Sequence, residues 1–232
     1  MDPWRRLNDD IVSCRRCPRL RAHCEEIARV KRRAFRDQTY WGRPVPGFGD
    51  TRARVLLCGL APAAHGANRT GRMFTGDDSG SWLYGALHRT GFATRPTASG
   101  RDDGLALRDA FITASARCAP PDNTPTPSEL AACAPFLDRE IDLLDRTRVV
   151  VALGQIAWNT MLRRVLRVAD GSCPSPRPKF GHGAEARVRI RAGGALVTLL
   201  GSYHPSRQNT NTGRLTRPML EAVLLRARDL AE

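Results

Sequence analysis

Short apolar runs alternate with helical patterns along most of the chain. Apolar residues in unbroken or alternating runs predict strands, and apolar residues at helical spacing predict helices. The predicted strands are Val55–Cys58, Phe111–Ala116, Val149–Leu153 and, in a hairpin around Gly193-Gly194, Arg187–Ile190 and Ala195–Leu200. The predicted helices are Arg21–Arg33, a helix that begins after Asp77, Glu129–Leu144, Gln155–Val168 and Leu215–Leu230.

Strands that alternate with helices predict an α/β fold. We expect a three-layer α/β/α sandwich around a mostly parallel four-stranded sheet. The 232 residues show no internal repeat and no linker, which favours a single domain over 1–232. The N-terminal segment 1–50, which carries two cysteines, is expected to pack on this domain.

The loop between the first predicted strand and the next helix is the strongest candidate for a functional site. It runs from Gly59 to Asp77 and contains four glycines, many polar side chains and no apolar periodicity. Such loops lie at the carboxyl edge of a parallel sheet, where α/β proteins bind ligands. A disordered surface loop is the alternative, but the embedded Met73-Phe74 pair favours a site.

The charge balance narrows the class of partner. The chain has 37 Lys and Arg against 23 Asp and Glu, a net charge of +14. A positive field of this size attracts polyanions, and phosphate contacts dominate affinity for nucleic acids. A nucleic acid is therefore the expected partner, and a generic arginine-rich surface is the alternative.

A membrane protein and a secreted protein are both disfavoured. No stretch approaches the roughly 20 apolar residues that a membrane span needs, and the N-terminus lacks the apolar core of a signal peptide. We expect a cytoplasmic protein, in which the seven cysteines are free thiols or metal ligands and not disulfides.

Four of the cysteines form two pairs, Cys14-x2-Cys17 and Cys118-x14-Cys133. Four thiolates suit a [4Fe–4S] cluster, whereas structural zinc usually takes two tight pairs and fits the wide second pair less well. The spacing alone leaves an iron–sulfur cluster, zinc and unligated cysteines open. Cys24 is left out of the ligand set because it lies on a predicted helix.

A second polar loop follows the last predicted strand. It begins at Tyr203-His204-Pro205-Ser206 and continues with Arg207, Gln208 and Asn209. A lone histidine is more often structural, but the dense polar sequence around His204 favours a functional role.

Two of these stretches resemble a known family. GLAPAAHGANRTGRMFTGD, at 59–77, resembles the first active-site motif of the uracil-DNA glycosylase superfamily, in the form typical of its family 5. His-Pro-Ser at 204–206 resembles the second motif. The resemblance implies a monofunctional DNA glycosylase that hydrolyses the N-glycosidic bond of uracil and other deaminated or damaged bases in DNA and so starts base excision repair. We expect it to act as a monomer.

The resemblance also implies a cofactor. Families 4 and 5 carry a [4Fe–4S] cluster held by a Cys-x2-Cys pair near the N-terminus and two later cysteines. The matching positions in this chain are Cys14, Cys17, Cys118 and Cys133.

Roles for the base pocket come from the same resemblance. His204 is expected to contact the base oxygen on which negative charge develops, and Phe74 to stack on the extruded base. Family 4 reads uracil with an Asn in the strand before the third cluster cysteine, but this chain has Ala114 in that strand. Asn123 is the nearest substitute, and the change implies a wider range of substrates.

The water-activating group has to come from elsewhere in the first loop. Residues 60–64 cannot accept a proton, which leaves His65, Asp77 and Asp78. Asp78 is expected to cap the following helix, and the family keeps an acid at the position of Asp77. Asp77 is therefore predicted to activate water or to stabilise the sugar cation.

The complete site prediction has three parts. Catalysis is assigned to Asp77, His204 and Asn123. The base pocket is expected to contain Gly59, Ala61, Ala63, Phe74, Asn123 and His204. The residues expected to bind DNA are Asn68, Arg69, Arg72, Ser206, Arg207, Asn209 and Arg214.

Two other functions are considered. One is a catalytically silent nucleic-acid-binding protein with the same fold. The other is a zinc-dependent hydrolase that uses His65, His182 and cysteines, but His65 has no partner at the spacing of metal ligands.

Overall fold

The computed structural model describes residues 2–232, which form eight helices around a six-stranded sheet. The helices are α1 Pro3–Val12, α2 Pro18–Val30, α3 Ala67–Thr70, α4 Asp78–Arg89, α5 Pro127–Leu143, α6 Gln155–Arg167, α7 Arg207–Asn211 and α8 Arg217–Ala231. The strands are β1 Phe48–Gly49, β2 Val55–Gly59, β3 Ala110–Ala114, β4 Val149–Leu153, β5 Glu185–Val188 and β6 Val197–Ser202.

The sheet has the strand order β1-β3-β2-β4-β6-β5. Its four central strands, β3, β2, β4 and β6, are parallel, and the two edge strands are antiparallel to their neighbours. The expected α/β fold and its parallel core are confirmed. The expectation of four strands is wrong, because β1 and β5 extend the sheet to six.

The central strands are buried on both faces, as their β-branched and apolar composition predicts. Successive residues of β2 point to opposite sides. Leu57 belongs to the core beneath α4 and α8, whereas Leu56 belongs to the core beneath α5 and α6. This two-sided core fixes the register of the strands. Because the four central strands are parallel, their carboxyl ends form one edge of the sheet.

Three local predictions differ from the structure. Helix α1 was not predicted, although Asp2 caps it and Leu7 and Ile11 are fully buried. Helix α5 begins two residues earlier than predicted, because Thr126 and Glu129 form a capping box and Pro127 takes the first helical position. Helix α3 interrupts the long polar loop that was predicted between the first strand and the helix after Asp77.

The N-terminal segment packs on the rest of the chain through its two helices. Leu7 and Ile11 of α1 contact Phe136 of α5, and Leu20 of α2 contacts Cys118 and Ala119. Within residues 2–232, no helix is long and apolar enough to cross a membrane.

Candidate active site

A cavity of about 560 Å³ lies at the carboxyl edge of the parallel sheet. The loops after β2 and β6 form two of its walls, and the turn at Pro121–Asn123 forms a third. Residues that were predicted separately from the sequence meet here. They are Ala61, Ala63, Phe74, Asp77, Asn123, His204, Ser206 and Arg207.

Asp77 is held at the start of α4 by one of its two carboxylate oxygens. Oδ1 accepts a hydrogen bond of 2.8 Å from the Gly80 amide, so Asp77 caps the helix. Asp78, which was predicted to be the cap, is the first helical residue. Burial raises the pKa of Asp77 above its usual value, and the Gly80 hydrogen bond partly offsets that effect.

The second oxygen of Asp77 lies against Gly66. A Cβ at Gly66 would come within 2.4 Å of Asp77 Oδ2, far closer than real contacts allow. Glycine at this position therefore leaves room for the carboxylate. One oxygen is used for the cap, and the other is available to a water molecule.

Phe74 and His204 stand side by side in the cavity. Their ring centroids are 5.7 Å apart, with an angle of 30° between the planes. Phe74 has a φ of +52°, a value that a bulky residue adopts only where the surrounding structure holds it. A Cβ at Gly59 would come within 2.9 Å of the Phe74 ring, so this glycine lets the ring lie against the end of β2.

The His204 imidazole is neutral near pH 7. Burial lowers its pKa to about 4, and a neutral imidazole carries one N–H donor. Asn209 Nδ2 donates to the His204 carbonyl at 2.8 Å, so Asn209 holds the histidine loop in place.

Asn123 reaches the cavity through an unusual turn. Asp122 and Asn123 have φ values of +52° and +54°, and asparagine and aspartate tolerate this conformation better than most residues. The turn follows Cys118 by a few residues and precedes the capping box of α5. Arg19 of α2 supports it by donating to the Thr124 carbonyl at 3.1 Å.

Three residues predicted to bind DNA are buried and bound to other protein groups. Arg72 is 3% exposed and pairs with Asp103. Arg69 donates to the carbonyls of His65 and Gly76. Asn68 is fully buried and donates to the Cys24 carbonyl. Their placement argues against phosphate contacts and shows instead that they hold the first loop in its fold.

Of the other residues predicted to bind DNA, Ser206 and Arg207 line the cavity, whereas Asn209 and Arg214 do not. Arg207 is exposed and forms an ion pair with Asp78. Ser206 caps α7 by accepting from the Asn209 amide. Arg214 is exposed and lies over the Tyr203 ring, with 4.6 Å between the guanidinium carbon and the ring centroid.

The two histidines of the zinc-hydrolase alternative have separate protein partners. His65 Nδ1 shares a hydrogen bond of 3.1 Å with the Tyr40 hydroxyl. His182 Nδ1 accepts from the Tyr203 amide at 3.2 Å. Neither lines the cavity that holds Asp77 and His204, so the geometry does not favour this alternative.

The four paired cysteines line a second, smaller cavity between α2, α5 and the end of β3. Arg16, Arg21 and Arg117 line the same cavity. No three His, Cys, Asp or Glu side chains in the described part of the chain converge on one metal position. A [4Fe–4S] cluster would not need such convergence, because its four iron atoms would each take one cysteine.

Sequence reasoning missed several residues of the active-site cavity. Asp122 and Gln208 line it beside the predicted Asn123 and Arg207, and Leu60, Pro62 and Met73 supply apolar walls. Their positions next to predicted residues were the available signal. A larger groove of about 760 Å³ lies between α1, α2 and Trp41, and it contains none of the predicted catalytic residues.

The sequence was compared with known proteins. The family model described as "Uracil DNA glycosylase superfamily" matches residues 46–228. A type-5 uracil-DNA glycosylase of Mycobacterium tuberculosis is 54% identical over 226 residues, which cover 97% of this chain and 81% of the relative.

A type-5 uracil-DNA glycosylase of Thermus thermophilus is 52% identical over 221 residues, with 95% of each chain covered. A type-4 uracil-DNA glycosylase of Pyrobaculum aerophilum is 29% identical over 202 residues, which cover 87% of this chain and 82% of the relative. The chain therefore belongs to the uracil-DNA glycosylase superfamily and, within it, to the type-5 uracil-DNA glycosylases.

Proposed function

We propose that this type-5 uracil-DNA glycosylase removes uracil and other deaminated bases from DNA by hydrolysing the N-glycosidic bond, and so starts base excision repair. The observation that carries the proposal is the meeting of Asp77, Phe74, Asn123 and His204 in one cavity. A base must leave the duplex to reach such a site. The alternative of a catalytically silent binding protein gives no reason for a half-buried carboxylate whose Oδ2 lies beside the cavity-lining loop.

The reaction breaks the bond between the sugar C1′ and the base nitrogen. The bonding electrons leave with the base, which becomes an anion, while positive charge develops on the sugar. A water molecule then adds its oxygen to C1′ and releases a proton. Catalysis needs groups that stabilise both charges and hold the water.

Asp77 is suited to the water and the sugar cation. Its Oδ2 accepts no hydrogen bond from the residues that the structure describes, and it has the room that Gly66 provides. Its negative charge can stabilise the positive charge that develops on the sugar, and the carboxylate can take the proton that the water releases.

His204 and Phe74 are suited to the base. A neutral imidazole can donate its one N–H to the base oxygen on which negative charge develops, and the low pKa of about 4 keeps the imidazole neutral near pH 7. The Phe74 ring lies beside the imidazole and offers a face for stacking. Asn123 can read the edge of the base with its amide.

The absence of an amide from the end of β3 supports a broad substrate range. Ala114 is buried there and cannot make a hydrogen bond through its side chain. Recognition of the base edge then falls to Asn123, which lies in an exposed turn. A site with fewer fixed polar groups discriminates less strictly against altered bases.

Formation of abasic sites tests the proposed activity. The protein is incubated with a duplex that contains one uracil and with the same duplex that contains thymine. Strand breaks after alkali treatment are expected only with uracil. Tight binding of both duplexes without strand breaks would support the silent binding protein.

DNA affinity is expected to depend strongly on salt because phosphate contacts release counterions. Arg207→Ala should flatten the slope of log K against log salt by about one unit, since one phosphate contact is lost. Arg163→Ala is the matched control, because Arg163 is exposed on α6 and does not line the cavity. Fluorescence anisotropy at several salt concentrations measures both slopes, and an unchanged slope in Arg207→Ala would remove this residue from the DNA interface.

We also propose that Cys14, Cys17, Cys118 and Cys133 hold a [4Fe–4S] cluster. They line one cavity, and two buried arginines beside them have donors without partners, Arg117 Nε and Nη1 and Arg21 Nη1. Cationic N–H groups of this kind suit a cluster, whose sulfur atoms are anionic acceptors. When bound, the cluster would supply a covalent tie between the N-terminal turn, the end of β3 and α5.

Iron content tests the ligand set. Cys118→Ser should lose the brown colour and most of the iron, and should unfold at a lower temperature, because a metal–thiolate tie is lost. Cys173→Ser should keep the brown colour and the iron. Cys24→Ala should keep them too, because the Cys24 thiol is buried beside Cys118 but does not line the cavity. Equal iron content in Cys118→Ser and Cys173→Ser would contradict the assignment.

We also propose that the protein is cytoplasmic and acts as a monomer. One chain supplies all the residues that line the active-site cavity, which supports a monomer. Size-exclusion chromatography with light scattering tests the monomer directly.

A further inference from the structure

Two buried arginines at the four-cysteine cavity are only partly satisfied. Arg117 is 1% exposed and donates from Nη2 to Glu140 at 2.5 Å, while its Nε and Nη1 have no hydrogen-bond partner among residues 2–232. Arg21 is 9% exposed and donates from Nη2 to Glu25 and to the Gly42 carbonyl, while its Nη1 has no hydrogen-bond partner within the described part of the chain. Buried donors without partners are rare and costly, so each calls for an explanation.

Both side chains line the cavity that the four cysteines line. Arg117 directly precedes Cys118 in the chain, and Arg21 lies one helical turn after Cys17. Arg16, the third arginine of this cavity, is exposed. The two buried guanidinium groups therefore bring positive charge to the cavity that the four thiols line.

Arg117 is held in place by a network that spans three parts of the fold. Glu140 of α5 is fully buried and accepts from Arg117, from the Thr113 hydroxyl of β3 at 2.5 Å and from the Gly47 amide at 3.2 Å. This network uses one nitrogen of the guanidinium. The other two nitrogens, Nε and Nη1, belong to the same rigid planar group and take no part in the ion pair.

The alternative is that Arg117 has a purely structural role, as the counterion of Glu140. A buried ion pair is, however, often no more stabilising than apolar residues of the same size. An ion pair also gives no reason for two unpartnered donors at the cysteine cavity. A cluster gives one, because its sulfur atoms accept hydrogen bonds, and those bonds tune its potential.

We propose that Arg117 and Arg21 donate their unpartnered N–H groups to the sulfur atoms of the proposed [4Fe–4S] cluster and raise its reduction potential. The inference rests on the cluster proposed above. Reduction of the cluster by dithionite would add one electron and make the cluster more negative. Fixed positive charge and N–H donors stabilise that reduced form more than the oxidised form.

The reduction potential separates this role from a merely structural one. Iron-loaded wild type, Arg117→Gln and Arg21→Gln are titrated with dithionite in the presence of redox mediators. Each variant is expected to show at least a tenfold lower ratio of reduced to oxidised cluster at a fixed potential, which is about 59 mV for one electron. Arg117→Lys keeps the charge and should recover part of the shift.

Arg164→Gln is the matched control. Arg164 is also buried, at 8% exposure, has an unpartnered Nε and pairs with Asp142, but it does not line the cysteine cavity. Its loss should destabilise the protein without a change in potential. The double variant of Arg117→Gln and Glu140→Gln removes both charges of the ion pair, so a shift that persists there reports the lost N–H donors.

The outcomes are distinct. Wild type without iron would contradict the proposed cluster itself. Iron-loaded Arg117→Gln and Arg21→Gln with the wild-type potential would overturn the inference and leave the cluster in place. If Arg117→Gln does not keep its iron, Arg21→Gln decides, because its Glu140 network is intact.

Discussion

Asp77→Asn is expected to lower the single-turnover rate of uracil excision by roughly 10²–10⁴, the usual contribution of a positioned general base. Asparagine can still cap α4 through its amide oxygen, so the fold around Gly80 should persist. What is lost is the negative charge and the proton acceptor at Oδ2. Rapid-quench measurement of uracil release with enzyme in excess gives the rate.

Asp78→Asn is the matched control for this change. Asp78 is the neighbouring residue, is exposed and pairs with Arg207 outside the buried site. Its rate should stay close to that of wild type. A larger loss in Asp78→Asn than in Asp77→Asn would show that the wrong carboxylate has been chosen.

The pH dependence gives a second check on Asp77. Burial raises its pKa above the usual value, so the ionised, active form is lost as the pH falls through that raised pKa. The single-turnover rate should therefore rise with pH and then level off. In Asp77→Asn, the residual rate should lack this acidic limb.

The same carboxylate can be disturbed without being removed. Gly66→Ala would place a Cβ within 2.4 Å of Asp77 Oδ2, so the carboxylate has to move. The rate of excision should fall although the charge remains. A wild-type rate in Gly66→Ala would mean that the position of Oδ2 does not matter.

His204→Ala is expected to lower the chemical rate by roughly 10²–10³, the cost of losing one donor to a developing anion. DNA affinity should change little, because the contact strengthens only as the base leaves. Anisotropy with uracil-containing DNA and single-turnover excision separate the two effects.

His65→Ala is the control for His204. His65 lies in the first motif but shares its hydrogen bond with Tyr40 and does not line the cavity. Its excision rate should stay near that of wild type. If His204→Ala instead binds DNA poorly and excises bound uracil at the normal rate, His204 positions the DNA.

The central fold could be predicted because its strands are continuous apolar runs. Val149–Leu153 matches the predicted strand residue for residue, since a strand buried on both faces leaves a pattern that needs no partner to be recognised. The edge strand β1 could not be predicted in this way, because it has only two residues. The edge strand β5 was predicted as part of a hairpin with the last strand, and it pairs with β6 as expected, although it covers Glu185–Val188 and not Arg187–Ile190.

The charged residues of the first loop show the limit of sequence reasoning. Arg69 and Arg72 look like surface cations in the sequence, but Arg72 pairs with Asp103, which is 31 residues away. Neither spacing nor composition reveals such a partner. Asn123 is the opposite case, because the turn with positive φ at Asp122 and Asn123 directs a loop residue into the cavity.

Excision by a double variant of Asp77→Asn and His204→Ala tests the central claim most directly. Wild type and the double variant are first bound to a duplex with one uracil, and the amount of bound DNA is measured by anisotropy. Uracil release from the bound DNA is then followed in a single turnover. The account predicts comparable binding and almost complete loss of excision in the double variant, and excision at the wild-type rate would contradict it.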